Sequence, residues 1–266
     1  IAATGLRNIL LLTGDAPKLT GPDYIAEAAR RLRPYFPSIG IEVYSMTEDE
    51  YRMLVEAGVD SFTMFQETYN EGLYARLHPA GPKRDFRFRL NAPDRAAAAG
   101  MRCVNVGALL GLDQWRRDAF YTGLHADWIQ RAYPGVEVAV SAPRMRPHEG
   151  SFNDIHPASE RDLVQYIQAL RLYLPSAGIT LSTRERPFLR DRLIGLGITK
   201  ISAGVSTAVG GHVHAENGEE HDTAQFEIAD DRNVDQMMAA IAAQGYQPVF
   251  KAWEPLDETY ACGQSA

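Results

Sequence analysis

Short apolar runs alternate along the chain with stretches of helical periodicity, a pattern that reads as repeated βα units around a parallel sheet. The first run, Asn8 to Leu12, is continuously apolar and ends at Thr13-Gly14-Asp15, which predicts a strand buried on both faces. A helix is expected from Pro22, with Pro34 and Pro37 beyond its end. Ile41 to Tyr44 is the second expected strand, and Thr47 with Glu50 three positions later forms a capping box for the helix that Gly58 closes. Ser61 to Phe65 is the third strand. A longer polar connection leads from it to a helix over about 85–99 that Pro93 must break or kink.

Val104 to Leu110 and Val136 to Val140 are the fourth and fifth strands, separated by a helix over 114–132. Residues 145–157 form a loop rich in Pro, Gly and Asn, after which Ser159 and Asp162 supply a second capping box for a helix to Leu174. Ile179 to Leu181 is the sixth strand, followed by a short helix through Arg190, and the seventh strand begins at Ile201. A helix over 234–243 and an extended segment from Tyr246 to Lys251 complete the pattern. Seven βα units with no hairpin signal predict a TIM-type α/β barrel with one unit fewer than the eight that closure requires. No linker or repeat divides the chain, so a single domain over 1–266 is expected, with a closing segment at about 244–266.

Composition narrows the function more than the fold. The 266 residues carry 27 Lys+Arg against 34 Asp+Glu, a net charge of −7, which argues against nucleic-acid or anionic-lipid surfaces. At 45% hydrophobic and 23% charged, the chain has ordinary globular composition. No apolar run approaches the roughly 18 residues of a membrane span, and no signal-peptide pattern is expected. Cys103 and Cys262 cannot build a disulfide scaffold and fit a reducing cytoplasm.

In α/β barrels the chemistry collects at the carboxyl ends of the strands. Polar or ionisable residues follow nearly every apolar run here: Asp15, Glu67, Arg144, Arg184 and Glu185 among them. Helix caps and mutual ion pairs account for such residues singly, but a whole series costs free energy unless it is used. Arg144 and Arg184 suit a carboxylate, because a guanidinium binds both oxygens at once. Asp15, Glu67 and Glu185 suit an ammonium group or ribose hydroxyls, and Gly14, Gly107 and Gly204 would let a flat ligand approach the backbone. The set favours a ligand carrying both a carboxylate and an amine. His212, His214 and His221, with Glu216, Glu219 and Glu220, match no compact metal motif and read as a solvated loop. Cys103 reads as a buried apolar residue.

At these residues the chain resembles the tyrosine lyases of the radical S-adenosylmethionine superfamily, most closely the 2-iminoacetate synthase family. The matching stretches are 65–69, 81–90, 107–112, 141–147, 181–185, 202–204, 225–228 and 247–254, so the resemblance covers nearly the whole chain. It implies a barrel in which a [4Fe-4S] cluster cleaves S-adenosylmethionine. It also implies breakage of the Cα–Cβ bond of L-tyrosine, giving 2-iminoacetate and p-cresol for thiamine biosynthesis.

Thr13-Gly14-Asp15 is similar to the family's cofactor-amine turn, with Asp in place of Glu. Glu67 is similar to its acidic cofactor contact, Lys83 or Arg84 to the carboxylate partner, and Gly107 to a cofactor-side position. The same likeness implies Arg144, Arg184 and Glu185 as catalytic groups, with Ser141, Ser182 and Thr183 around the tyrosine. Thiazole synthase and a reducing electron donor are the partners it implies.

Two departures stand out. The family's CxxxCxxC cluster motif is absent, which predicts an N-terminally truncated member with its cluster cysteines upstream of Ile1, inactive alone. Phe250 and Ala252 replace the usual Trp and Asp. The competing readings are the tyrosine lyase of iron-hydrogenase maturation and a non-catalytic tyrosine-binding barrel.

Overall fold

Residues 1–145, 155–205 and 228–250 are described by the computed structural model of the protein. Seven parallel strands follow one another in the order β1 to β7: Asn8–Leu12, Ser38–Glu42, Ser61–Phe65, Cys103–Gly107, Glu137–Ser141, Gly178–Leu181 and Lys200–Ile201. This sequential order is that of a TIM-type barrel with seven of its βα units present. The helices are α1 (Pro22–Leu32), α2 (Glu48–Glu56), α3 (Glu71–Leu77), α4 (Phe86–Leu90), α5 (Ala92–Ala98), α6 (Trp115–Ala132), α7 (Glu160–Tyr173), α8 (Pro187–Ile194) and α9 (Val234–Ala243). The chain divides into two compact units where the sequence led us to expect one domain.

The first unit holds Ile1–Met64, Ala80–Val104 and the segment from Val249. Its strands separate their side chains by parity. Ile39, Ile41 and Phe62 are fully buried on the face that meets the helices, where the Phe62 ring lies 4.8 Å from that of Tyr51 in α2. The opposite face carries small and polar groups: Asn8 Nδ2 donates to Ser38 Oγ at 2.9 Å, and a Cβ on Gly40 would lie 2.7 Å from Ser61 Oγ. β1 departs from the expectation of a strand buried on both faces, because Leu10 and Leu12 are 41% and 52% exposed. They lie on the same side of β1 as Asn8, away from the apolar face, and β1 is an outer strand of the described sheet.

The capping box of α2 forms as expected, with Glu50 N–H donating to Thr47 Oγ1 and Thr47 N–H donating to the Glu50 carboxylate. Pro93 divides the helix expected over 85–99 into α4 and α5, where it occupies the first turn of α5 and needs no backbone donor. β2 begins three residues before its expected start, since Ser38–Gly40 pairs in register with Asn8–Leu10.

The second unit holds Phe65–Pro79 and Asn105–Pro248. The same parity recurs: Val106, Val138, Val140, Ile179 and Leu181 are buried on one face, while Asn105 Nδ2 donates to Ser141 Oγ on the other. Gly107 shares that second face, and a Cβ there would fall 2.5 Å from the Ser141 carbonyl oxygen and 3.0 Å from the Phe65 ring. Close strand packing therefore requires a glycine at this position. The Ser159–Asp162 capping box starts α7. α3, which periodicity did not predict, starts at the Asn70 cap, whose side chain accepts from Leu73 N–H at 3.1 Å. Of the extended segment expected over 246–251, the described residues are assigned to no strand, and Lys251 lies outside the described residues.

A buried charge network links β6, α8 and β7. Arg190 has no exposed surface; its guanidinium donates to Asp230 and to the Ser202 carbonyl. Arg232 grips Asp230 with both Nε (2.9 Å) and Nη2 (2.6 Å) and reaches Asp191 at 2.9 Å. Backbone N–H groups of Ala229 and Asp230 donate to the Thr183 carbonyl. Burial alone would raise the Asp230 pKa, but hydrogen bonds from Arg232 and Arg190 hold it down at about 2. Its contribution to stability is therefore full above the ordinary aspartate range and is lost as pH falls towards about 2. Asp230→Ala, which leaves Arg190 buried without its anion, should cost about 3–5 kcal/mol in urea denaturation at pH 7; a loss below about 1 kcal/mol would show that the network is dispensable.

Candidate functional site

The connection after β3 is held by hydrogen bonds on both sides of a strained turn. Glu67 is the one non-glycine residue with positive φ among the described residues, at 69°. Thr68 N–H donates across it to the Gln66 carbonyl at 3.0 Å, closing a three-residue turn of the rare, strained kind. Such a conformation costs on the order of 1–3 kcal/mol and persists only where the surroundings over-determine it.

The surroundings here do so. Gln66 N–H donates to the Gly107 carbonyl at 2.8 Å, and Leu109 N–H donates to the Glu67 carbonyl at 2.8 Å. On the other side, Asp118 Oδ1 accepts from Thr68 Oγ1 (3.0 Å) and from Tyr69 N–H (2.7 Å). Tyr69 Oη meets His125 Nδ1 at 2.9 Å, and Asn70 Nδ2 donates to Asp113 at 3.1 Å.

Asp118 reaches this position because α6 turns an unusual face inward. Asp118 and Thr122 are wholly buried there, on a helix whose other buried residues are Ala119, Gly123, Ala126 and Ile129. Burial pushes the Asp118 carboxyl up to about 6, against the hydrogen bonds from Tyr69 and Thr68; Asp113 raises it further and Arg117 lowers it. Its Oδ2 has no hydrogen-bond partner. Gln66 is 2% exposed, and neither its amide oxygen nor its nitrogen has a partner. The sequence marked the stretch containing Gln66 but assigned it no task.

The other residues singled out from sequence divide into groups. In the first unit, Lys83 Nζ lies 3.2 Å from Asp15 Oδ2, with both side chains about one-third exposed, so two expected ligand contacts are paired with each other. Gly14 has open space around it, Thr13 Oγ1 is buried with no partner, and Arg84 is exposed at the end of the 3-10 turn Pro82–Arg84. Ser45 Oγ, after β2, is likewise buried and unpartnered.

In the second unit, Arg144 and Glu185 form a bidentate buried pair. Nε donates to Oε1 at 2.8 Å and Nη2 to Oε2, while Nη1 donates to the Ala158 carbonyl at 2.8 Å. Two residues expected to meet a ligand are thus paired with each other, the guanidinium fork holding the carboxylate of its own chain. Ser141 bonds to Asn105, and Ser182 Oγ accepts from Arg184 N–H at 3.0 Å. Thr183 is buried at 2% exposure. The histidine-rich stretch, Cys262 and the motif residues Arg146, Pro147, Ala252 and Trp253 lie outside the described residues.

Comparison with known proteins bears on this arrangement. The family described as the Biotin and Thiamin Synthesis associated domain matches residues 141–247. The chain is 42% identical over 255 residues to the 2-iminoacetate synthase of Escherichia coli (strain K12), covering 96% of this chain and 67% of that protein. The chain belongs to the 2-iminoacetate synthase family. The Salmonella typhimurium (strain LT2) family member is 38% identical over 256 residues, with the same two coverages.

Among solved structures, HydG, a maturase of the [FeFe]-hydrogenase, superposes with a TM-score of 0.86 at 29% identity, over 99% of this chain. The chain spans 57% of the HydG chain. Against this family, a cluster-ligand set is not formed by the residues present. Cys103 lies in β4, Cys262 is the only other cysteine of the sequence, and no group of three or more metal-ligating side chains occurs among the described residues. No helix among them is long and apolar enough to cross a membrane.

Two measurements follow from the loop geometry. The raised Asp118 pKa means the folded chain gains stability below the unfolded value of about 3.9 and loses it as pH rises through about 6. Asp118→Asn retains an acceptor for Thr68 and Tyr69 and should flatten that part of the stability–pH curve, a change on the order of 3 kcal/mol; an unchanged curve would place the titration elsewhere. Gln66→Met removes an unpartnered buried amide and should raise the stability of the ligand-free chain by about 1–3 kcal/mol, read from the urea midpoint.

Proposed function

We propose that this chain supplies the cofactor- and substrate-holding portion of a tyrosine lyase that cleaves the Cα–Cβ bond of L-tyrosine to 2-iminoacetate and p-cresol, in service of thiamine biosynthesis. Membership of the 2-iminoacetate synthase family carries this reading. The strained, multiply tethered Glu67 turn adds independent support, since strain of that kind concentrates at functional sites.

The chemistry S-adenosylmethionine supplies when bound is hydrogen abstraction from the tyrosine. The chain's own part is to hold charges where that zwitterion needs them. Asp15 and Lys83 already form a pair of complementary charges at 3.2 Å. An incoming aminocarboxylate can exchange with it, placing its ammonium on Asp15 and its carboxylate on Lys83, with no net charge left unpaired. Thr13 Oγ1, two positions before Asp15 in the chain, is a buried hydroxyl without a partner. In the second unit Glu67 is the acceptor for a ribose or ammonium donor. Ser141, Ser182, Thr183 and Arg184 are the tyrosine-side groups. The Arg144–Glu185 pair acts by holding the strand-end loops that carry them.

Two cysteines cannot supply the three thiolates of a cluster, so binding and orientation are this chain's own contribution. Calorimetric titration tests the reading directly. S-adenosylmethionine and L-tyrosine should each bind at one site, with Asp15→Asn and Lys83→Ala weakening the former about tenfold and Arg84→Ala leaving it unchanged. After incubation with iron, sulfide and reductant, this chain alone should release no p-cresol. Failure to bind either ligand would overturn the proposal. Carbon monoxide and cyanide among the products of a cluster-bearing form would favour the hydrogenase-maturation type, which the likeness to HydG makes the second reading.

A further inference from the structure

Asp118 lies 50 positions from the loop it holds and belongs to none of the strand ends where ligand contacts were expected. Both donors to its Oδ1 come from the two residues that immediately follow Glu67, namely Thr68 Oγ1 at 3.0 Å and Tyr69 N–H at 2.7 Å. Thr68 Oγ1 in turn accepts from Asn70 N–H at 3.1 Å, so the carboxylate terminates a short chain of hydrogen bonds running through the loop. Asp118 is itself held in place, since Thr122 Oγ1 donates to its backbone carbonyl at 2.7 Å. On the other side of the turn, the Gly107 carbonyl accepts from Gln66 N–H and the Glu67 carbonyl accepts from Leu109 N–H. A left-handed glutamate relaxes unless both flanks are held.

We propose that Asp118 is a positioning residue whose buried carboxylate, by anchoring Thr68 and Tyr69, keeps Glu67 in its left-handed conformation and so sets the direction in which Glu67 meets its ligand. The inference rests on the reading of Glu67 as a cofactor contact, and it adds a dependence of that contact on a side chain that touches no ligand. A carboxylate with one orphan oxygen is a costly anchor in a buried setting. Its retention fits a loop that must be held against strain.

The test combines amide hydrogen exchange at Tyr69 and Leu109 with calorimetric titration of S-adenosylmethionine into Asp118→Ala, Asp118→Asn, Glu67→Ala and the Asp118→Ala/Glu67→Ala double variant. Asp118→Ala should accelerate exchange at both amides and weaken binding about tenfold, and Asp118→Asn should restore both to within about twofold of the parent. The double variant should bind no more weakly than Glu67→Ala, because the two residues act through one contact.

Additive losses in the double variant, or unchanged protection of both amides in Asp118→Ala, would overturn the proposal. Unchanged binding in Glu67→Ala, together with lost protection in Asp118→Ala and its recovery in Asp118→Asn, would uphold the anchoring while removing the cofactor role of Glu67. Should Asp118→Ala fail to fold, Thr68→Val removes one of the two donors at nearly constant volume and is read by the same two measurements.

Discussion

Each strand of this sheet must serve two environments at once, and that constraint organises the rest. One parity of residues is β-branched or bulky and buried against helices, as with Ile39, Ile41, Val138, Val140 and Ile179. In β2, β4 and β5 the other parity is mostly small or polar, as with Ser38, Gly40, Asn105, Gly107 and Ser141. At Gly40 and Gly107 the reason lies in the neighbouring strand, because a Cβ would lie 2.7 Å and 2.5 Å from oxygen atoms there. At these positions the polar face is therefore shaped by strand packing.

Beyond the strand ends the ionisable groups follow two routes. Some neutralise one another: Arg144 with Glu185, Arg190 with Asp230 and Arg232, and Asp15 with Lys83. The first two pairings are buried, where a lone charge is expensive and a bidentate guanidinium–carboxylate contact offsets much of the cost. Asp15–Lys83 is partly exposed, so its charges exchange partners at low cost, as a binding site requires. The second route is the loop after β3, where hydrogen bonds to β4, to the turn that follows it and to α6 hold Glu67 in a conformation it would not adopt by itself.

Much of the fold was legible along the chain. β1 and β3 span the expected residues, both capping boxes form, and Pro93 divides a helix where its missing N–H dictates. Boundaries shifted where pairing register outweighed local pattern, as at Ser38–Gly40 in β2. α3 escaped notice because seven residues show little periodicity and its signal is one asparagine cap. The site was legible as a list of residue types and not as a set of partners. Arg144 and Glu185 were both marked, yet nothing in their spacing of 41 positions indicated that they would bind each other. Asp118 was not marked at all, since an aspartate within an amphipathic helix reads as solvated surface.

Determined by the sequence alone were most of the strands and helices, the two capping boxes and the order of βα units, because each depends on residues within a few positions of one another. The family was legible in the same way, from motifs a few residues long. Tertiary structure alone decided which charges pair with one another, and it alone put Glu67 under strain with Asp118 at its side. Hydrogen bonds and ion pairs act over a few ångströms of space, and only the packed sheet and helices bring residues 41 or 50 positions apart within that range.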